Sequence, residues 1–196
     1  MALHLHADVR DRPILVVGGG VAGCEKVRRL VSVGAVVTVV DPSPASELKS
    51  LEVRLERREF QDSDVLGAWL IVAATGDEAV NDRVERAATE AGVWVSRADK
   101  RDGGGIAFAA LVERGPVTIG VSTGGSSPTL ARWVRDRIEA ALPIEVGALA
   151  ALLSRRPRAA GRRGHRALPL DQALGALMAG DPERAATLLE VELRSE

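Results

Sequence analysis

Gly18-Gly19-Gly20-Val21-Ala22-Gly23 stands directly after the β-branched run Ile14 to Val17 and directly before a helical pattern, and this placement constrains the fold more than any other feature. Glycines so spaced at a strand-to-helix turn meet three needs. Gly18 permits the tight turn, Gly20 lets the backbone approach a pyrophosphate, and Gly23 lets helix and sheet pack closely. Val21 and Ala22 lie at the helix N-terminus, whose N–H groups and dipole favour an anion. A second strand, Val36 to Val40, leads into Asp41, 18 residues beyond Gly23, where a carboxylate can accept hydrogen bonds from an adenosine ribose. A 2′-phosphate would meet a like charge there, so the acid argues for NAD over NADP. Flavin and S-adenosylmethionine sites use related turns, and the motif alone says nothing about substrate.

The surrounding pattern is that of an α/β fold. Trp69 to Ala73 and Val93 to Ser96 are further near-continuous apolar runs, as strands buried on both faces of a parallel sheet require. Between them Val80, Val84, Ala87, Ala88 and Ala91 share one helical face, and Gly92 follows where a helix would end. Val53 to Phe60 alternates apolar and charged residues and reads as a weaker strand towards a sheet edge. After Gly103-Gly104-Gly105 the spacing predicts a hairpin, with strands Ile106 to Val112 and Val117 to Val121 joined by Glu113-Arg114-Gly115-Pro116. A helix then begins with Ser127 as N-cap and Pro128 in first position, and Pro143 stops it. Three more helices are expected over roughly 144–153, 168–179 and 182–193.

Composition excludes several classes. With 26 Lys plus Arg against 27 Asp plus Glu, the net charge of −1 gives no reason to expect a polyanion or membrane partner. The 46% apolar content supports a globular core. Cys24 is the only cysteine and cannot form an internal disulfide, and the first ten residues lack the apolar core of a signal peptide, so a cytoplasmic location is expected. Apolar runs such as Trp69 to Ala74 are far too short to span a bilayer. With no Tyr, two Phe and three Trp, the chain lacks stacking platforms for single-stranded nucleic acid. His4, His6, His165 and Cys24 show no spacing for a stable metal site, so no protein-held metal is expected. The balanced charge also hides unlike regions. Residues 147–170 carry six arginines and no acid, while 171–196 carry two arginines against six acids. The arginines between Arg155 and Arg166 suit either a solvated loop or guanidinium forks for a polycarboxylate.

Taken together, Gly18-Gly19-Gly20-Val21-Ala22, Lys26, Ala73-Ala74-Thr75, Val80-Asn81, Asp99 and Val121-Ser122-Thr123-Gly124-Gly125-Ser126-Ser127-Pro128-Thr129-Leu130-Ala131-Arg132 resemble the siroheme synthase dehydrogenase and ferrochelatase family. The likeness implies a Rossmann-type NAD-binding domain over 1–110, a small α+β dimerisation segment over 111–143 and a helical C-terminal domain over 144–196. It further implies NAD-dependent oxidation of precorrin-2 to sirohydrochlorin and, in many members, insertion of ferrous iron as a substrate. Ala74 and Thr75 complete the implied cofactor set. Asp99 matches the family aspartate and is the expected catalytic residue, with general-base work in view. Ser122, Thr123, Gly124, Gly125 and Ser126, at a helix N-terminus, form the implied substrate-binding loop for carboxylate side arms.

The chain departs from the family pattern in places. Ser96-Arg97-Ala98 replaces the usual Asn-Val pair before the aspartate, Thr123 takes the place of a serine, and Ala109 that of a proline. A homodimer is expected, as is a separate uroporphyrinogen methyltransferase supplying precorrin-2, since no second glycine-rich half is present. The rival readings are a dehydrogenase of another small molecule and a non-catalytic NAD-sensing module, which would need neither Asp99 nor the Ser122 to Pro128 loop.

Overall fold

The computed structural model describes residues 3–100, 105–155 and 168–190. It divides into two compact units, one ending at Phe108 and one beginning at Ala109, with Gly124–Ser126 grouped with the first.

The first unit is built on five parallel strands in the order β3-β2-β1-β4-β5, where β1 is Pro13–Val17, β2 Val36–Val40, β3 Arg54–Glu56, β4 Leu70–Ala73 and β5 Trp94–Arg97. Alternate residues of each strand face opposite sides, and both sides are covered. Ile14 and Val16 of β1, Val37 and Val39 of β2, and Leu70 and Val72 of β4 pack with Cys24, Val27 and Leu30 of helix α1, Val21–Ser32. Leu15, Val17, Val40, Ile71, Ala73 and Val95 pack with Val84, Ala87 and Ala88 of helix α2, Glu78–Glu90. The chain moves outward from β1 to β2 through α1, then from β4 to β5 through α2 in the opposite direction, and crossovers of one hand therefore place the two helices on opposite faces. The sequence of β1 is apolar at four successive positions because it is central and buried on both sides. β3 is only three residues long and lies at the edge, as the alternation of Val53 to Phe60 suggested. Phe60 instead closes the second core cluster beside Val65.

The second unit opens with an antiparallel hairpin, β6 Ala110–Arg114 and β7 Val117–Val121, followed by α3 Pro128–Ala141, α4 Val146–Ser154, α5 Leu170–Met178 and α6 Pro182–Glu190. The hairpin starts four residues later than its sequence pattern predicts. β7 has five residues, all of them paired with 110–114, so the strand pairing begins at Ala110. Ile106 N–H donates to Val95 O at 3.3 Å, and Ile106 and Phe108 pack on the α1 side of the first unit. Ser127 caps α3 by accepting from Leu130 N–H at 3.1 Å, with Pro128 at the first turn, as the motif requires. Leu149 of α4, Ala173 and Ala176 of α5 and Ala185 and Leu189 of α6 form a separate small core. Among the described residues no helix is long and apolar enough to cross a membrane. His165 and the arginines from Arg156 to Arg166 lie outside the described residues.

Candidate functional site

The strand order reverses between β1 and β4, and open α/β sheets bind ligands beyond the C-terminal strand ends at such a point. The glycine-rich turn leaves β1 there. Gly18 has φ +105°, and a Cβ on it would lie 2.5 Å from Ala74 O, so both its backbone conformation and the close approach of the β4 end require glycine. A Cβ on Gly23 would overlap Gly18 O, which brings α1 down onto the turn.

Gly20 is a different case. Its φ is −77°, which any residue adopts, and a Cβ there would meet nothing within 4 Å. Neither conformation nor packing inside the protein demands glycine, but the approach of a ligand to this backbone would. Gly20 is also the N-cap of α1 and supplies no side-chain cap, and the first turn holds no acid. Val21, on that turn, is 92% exposed. The helix thus presents N–H donors and its positive dipole end to open space, the arrangement that receives a phosphate. The residues present therefore fit a dinucleotide.

Asp41, just past β2, accepts from Gly19 N–H at 2.6 Å through Oδ2 and from Ser43 N–H at 2.6 Å through Oδ1. The acid anticipated as a ribose acceptor thus also fixes the middle of the glycine turn. A carboxylate offers about four lone-pair sites, so acceptor capacity remains. On the other side of the turn, Ala74 is buried and donates its N–H to Val17 O at 2.8 Å.

Thr75 is held by Asn81, a fully buried residue of α2. Asn81 Oδ1 accepts from Thr75 N–H at 3.1 Å and from Thr75 Oγ1 at 2.8 Å, while Asn81 Nδ2 donates to Thr75 O at 3.1 Å. The Gly18–Gly23 turn, Asp41, Ala74 and Thr75 therefore lie together at the C-terminal ends of β1, β2 and β4. The clamp by Asn81 was missing from the set read off the sequence. Its signal was present, since Asn81 occupies the same helical stripe as Val84 and Ala88, where an apolar residue is expected.

Asp99 follows the C-terminal end of β5 and is held by Arg97. Arg97 Nε donates to Asp99 Oδ1 at 2.8 Å and Nη2 to Oδ2 at 2.7 Å, a two-pronged pair. The Arg97 side chain is wholly buried, whereas that of Asp99 is 29% exposed. Arg97 Nη1 turns to α2, where it donates to Asp82 Oδ1 at 2.7 Å and Glu85 Oε2 at 2.6 Å. Lys100 Nζ contacts Asp82 Oδ1 at 2.7 Å and Glu78 Oε1 at 2.9 Å. The guanidinium of Arg97, aided by Asn81, holds the Asp99 carboxyl well below the ordinary carboxylate range against the opposing effect of burial. Such a carboxylate is a weak proton acceptor.

In the loop Ser122, Thr123, Gly124, Gly125 and Ser126, the first two residues group with the second unit and the last three with the first. Gly124 and Gly125 have φ +59° and +79°, so consecutive left-handed residues make the turn. Thr123 Oγ1 donates to Ser127 O at 3.0 Å and accepts from Ser127 N–H at 3.1 Å, closing the loop onto the N-cap of α3. A threonine therefore supplies the hydroxyl that the turn needs. Among the described residues no group of three or more His, Cys, Asp or Glu is arranged to hold a metal ion.

Comparison with known proteins accords with this architecture. Residues 5–110 match the family described as "Putative NAD(P)-binding", and residues 114–141 match that described as "Sirohaem biosynthesis protein central". The siroheme synthase of Methylococcus capsulatus is 41% identical over 154 residues, which cover 76% of this chain and 32% of the relative. That of Thioalkalivibrio sulfidiphilus is 42% identical over 149 residues, 74% of this chain and 30% of the relative. That of Pseudomonas aeruginosa strain PAO1 is 40% identical over 157 residues, 78% and 34%. The chain thus spans about a third of the length of these curated relatives. A solved structure of SirC, a precorrin-2 dehydrogenase, superposes with a TM-score of 0.72 at 22% identity, covering 96% of this chain and 98% of that one, and so shares the fold.

Proposed function

We propose that this chain, which belongs to the family described as "Putative NAD(P)-binding", catalyses the NAD-dependent oxidation of precorrin-2 to sirohydrochlorin. The observation that carries the proposal is the open space over Gly20 at the uncapped start of α1, at the point where the strand order reverses. Bound there, NAD supplies a hydride acceptor. Oxidation would remove two hydrogens from the substrate, one as hydride from a C–H bond and the other as a proton that departs to the medium. The products are sirohydrochlorin, the reduced cofactor and a proton.

The chain's own residues bind and orient. Gly18 and Gly23 shape the turn, and the N–H groups of Gly20, Val21 and Ala22 receive the pyrophosphate. Gly19 holds Asp41 in place to accept from the ribose, which selects NAD over NADP. Ala74 and Thr75 form the wall at the end of β4. Asp99 is the catalytic residue beside the substrate, and Ser122, Thr123, Gly124, Gly125 and Ser126 receive its carboxylate arms. The name of the structural neighbour, a precorrin-2 dehydrogenase, supports precorrin-2 as substrate; a separate uroporphyrinogen methyltransferase as its source and a homodimer as the working form complete the proposal. Ferrous iron enters the scheme as a second substrate, with the tetrapyrrole nitrogens as its ligands. Titration with NAD and NADP, followed by anaerobic oxidation of precorrin-2, tests the reading. Binding of NAD without oxidation would favour a sensing module instead.

A further inference from the structure

We infer that Arg97 is the positioning residue of this site: anchored on α2 by Asp82 and Glu85, its buried guanidinium grips both carboxylate oxygens of Asp99 and presents that group as an oriented fixed charge rather than as a proton acceptor. The inference rests on the assignment of Asp99 to the dehydrogenase site and specifies how Asp99 works there.

Three features of the geometry support it. The two prongs, at 2.8 and 2.7 Å, use Nε and Nη2, which fixes the carboxylate in the guanidinium plane. The remaining Nη1 is committed to Asp82 and Glu85, so the fork cannot swing without breaking contacts to α2. The side chain of Arg97 is wholly buried and offers no atom to a ligand, so its effect on chemistry must pass through Asp99. Among the described residues, the charged groups around the Arg97–Asp99 pair are Lys100 after β5 and Glu78, Asp82 and Glu85 on α2, with the Asn81 amide adding to the stabilisation of the Asp99 charge. Loss of hydride leaves positive charge on the substrate's conjugated system. A fixed carboxylate stabilises that charge as it develops without reorganising. The departing proton then goes to water.

The test combines carboxyl NMR of protein labelled with ¹³C-aspartate, the Asp99 resonance being identified by its loss in Asp99→Asn, with kinetics of Arg97→Met and Arg97→Lys. In the native protein the Asp99 resonance should not titrate near the ordinary aspartate value of about 4. In Arg97→Met it should, with Arg97→Lys between them. NAD affinity should stay within about twofold of native, while kcat for precorrin-2 falls on the order of 10- to 100-fold, as for a misplaced catalytic group. An Asp99 resonance that titrates at the ordinary value in the native protein would overturn the inference whatever the activity and even if the Met variant fails to fold. Native kcat in Arg97→Met would overturn it as well. A native protein that fails to oxidise precorrin-2 while Asp99 resists titration would instead sink the dehydrogenase reading and leave the Arg97 grip intact.

Discussion

Gly20→Asp separates ligand binding from folding. A Cβ at Gly20 meets nothing within 4 Å and φ is −77°, so the fold accepts a side chain there. Aspartate is among the best N-cap residues, and its charge complements the helix dipole. Uncapped α1 should therefore gain from a few tenths to about 1 kcal/mol. The same carboxylate would stand where the pyrophosphate must approach. Repulsion between unit charges about 4 Å apart is about 1 kcal/mol in water and about 4 kcal/mol at an effective dielectric of about 20. The exposure of Val21 places this site towards the watery end. Loss of one charge-assisted hydrogen bond adds about 1.5–3 kcal/mol. A total near 3 kcal/mol corresponds to roughly 100-fold weaker NAD binding. Calorimetric titration and thermal unfolding on one preparation read both signs, with affinity falling while stability holds or rises. NAD affinity within about threefold of native at native stability would refute the argument that open space over Gly20 is the cofactor's.

Other residues give independent checks. Asp41→Ala should cut the preference for NAD over NADP about five- to tenfold, the effect of about 1–1.4 kcal/mol of screened repulsion, measured by parallel titrations; an unchanged ratio would remove Asp41 from cofactor selection. Asn81→Leu keeps the volume but leaves Thr75 N–H and C=O without their partner, and urea unfolding should show a loss of about 2–4 kcal/mol. The ion pair of Asp99 gives a pH signature. Because its carboxyl is held below the ordinary range when folded, its stabilisation is fully present above about pH 5 and drains away as pH falls through the folded value. The stability gap between native protein and Asp99→Asn should accordingly be widest near neutrality and narrow in acid; a gap that widens in acid would show the opposite sign.

Much of the nucleotide half was legible because local and long-range demands agree there. Buried parallel strands must be apolar on both faces, and a strand-to-helix turn under close approach must be glycine, so β1, β2, β4 and β5 emerged within a residue or so of their observed limits. Ser127 and Pro128 were legible for the same reason, since capping is local. The start of β6 was not, because pairing depends on the length of the partner strand, and Ile106 and Phe108 were claimed by the first unit's core instead. Asp99 could be marked only through the family likeness; in its charged run Arg97-Ala98-Asp99-Lys100 nothing local distinguishes a solvated acid from a gripped one. The two-pronged pair with Arg97 depends on Asp82 and Glu85, one turn apart on α2, facing the end of β5. Such a meeting is set by the packing of helix on sheet, which a linear reading of charges does not show.

The central claim is best tested by mixing the protein anaerobically with precorrin-2 and NAD, without iron, and following the tetrapyrrole and NADH spectra together. The account predicts conversion to sirohydrochlorin with one NADH formed per molecule oxidised, and loss of this conversion in Asp99→Ala with NAD binding retained. A further spectral change on adding ferrous iron, above the nonenzymatic rate, would extend the activity to chelation. Native protein that binds NAD yet leaves precorrin-2 unoxidised, or an Asp99→Ala protein that oxidises it at the native rate, would contradict the account.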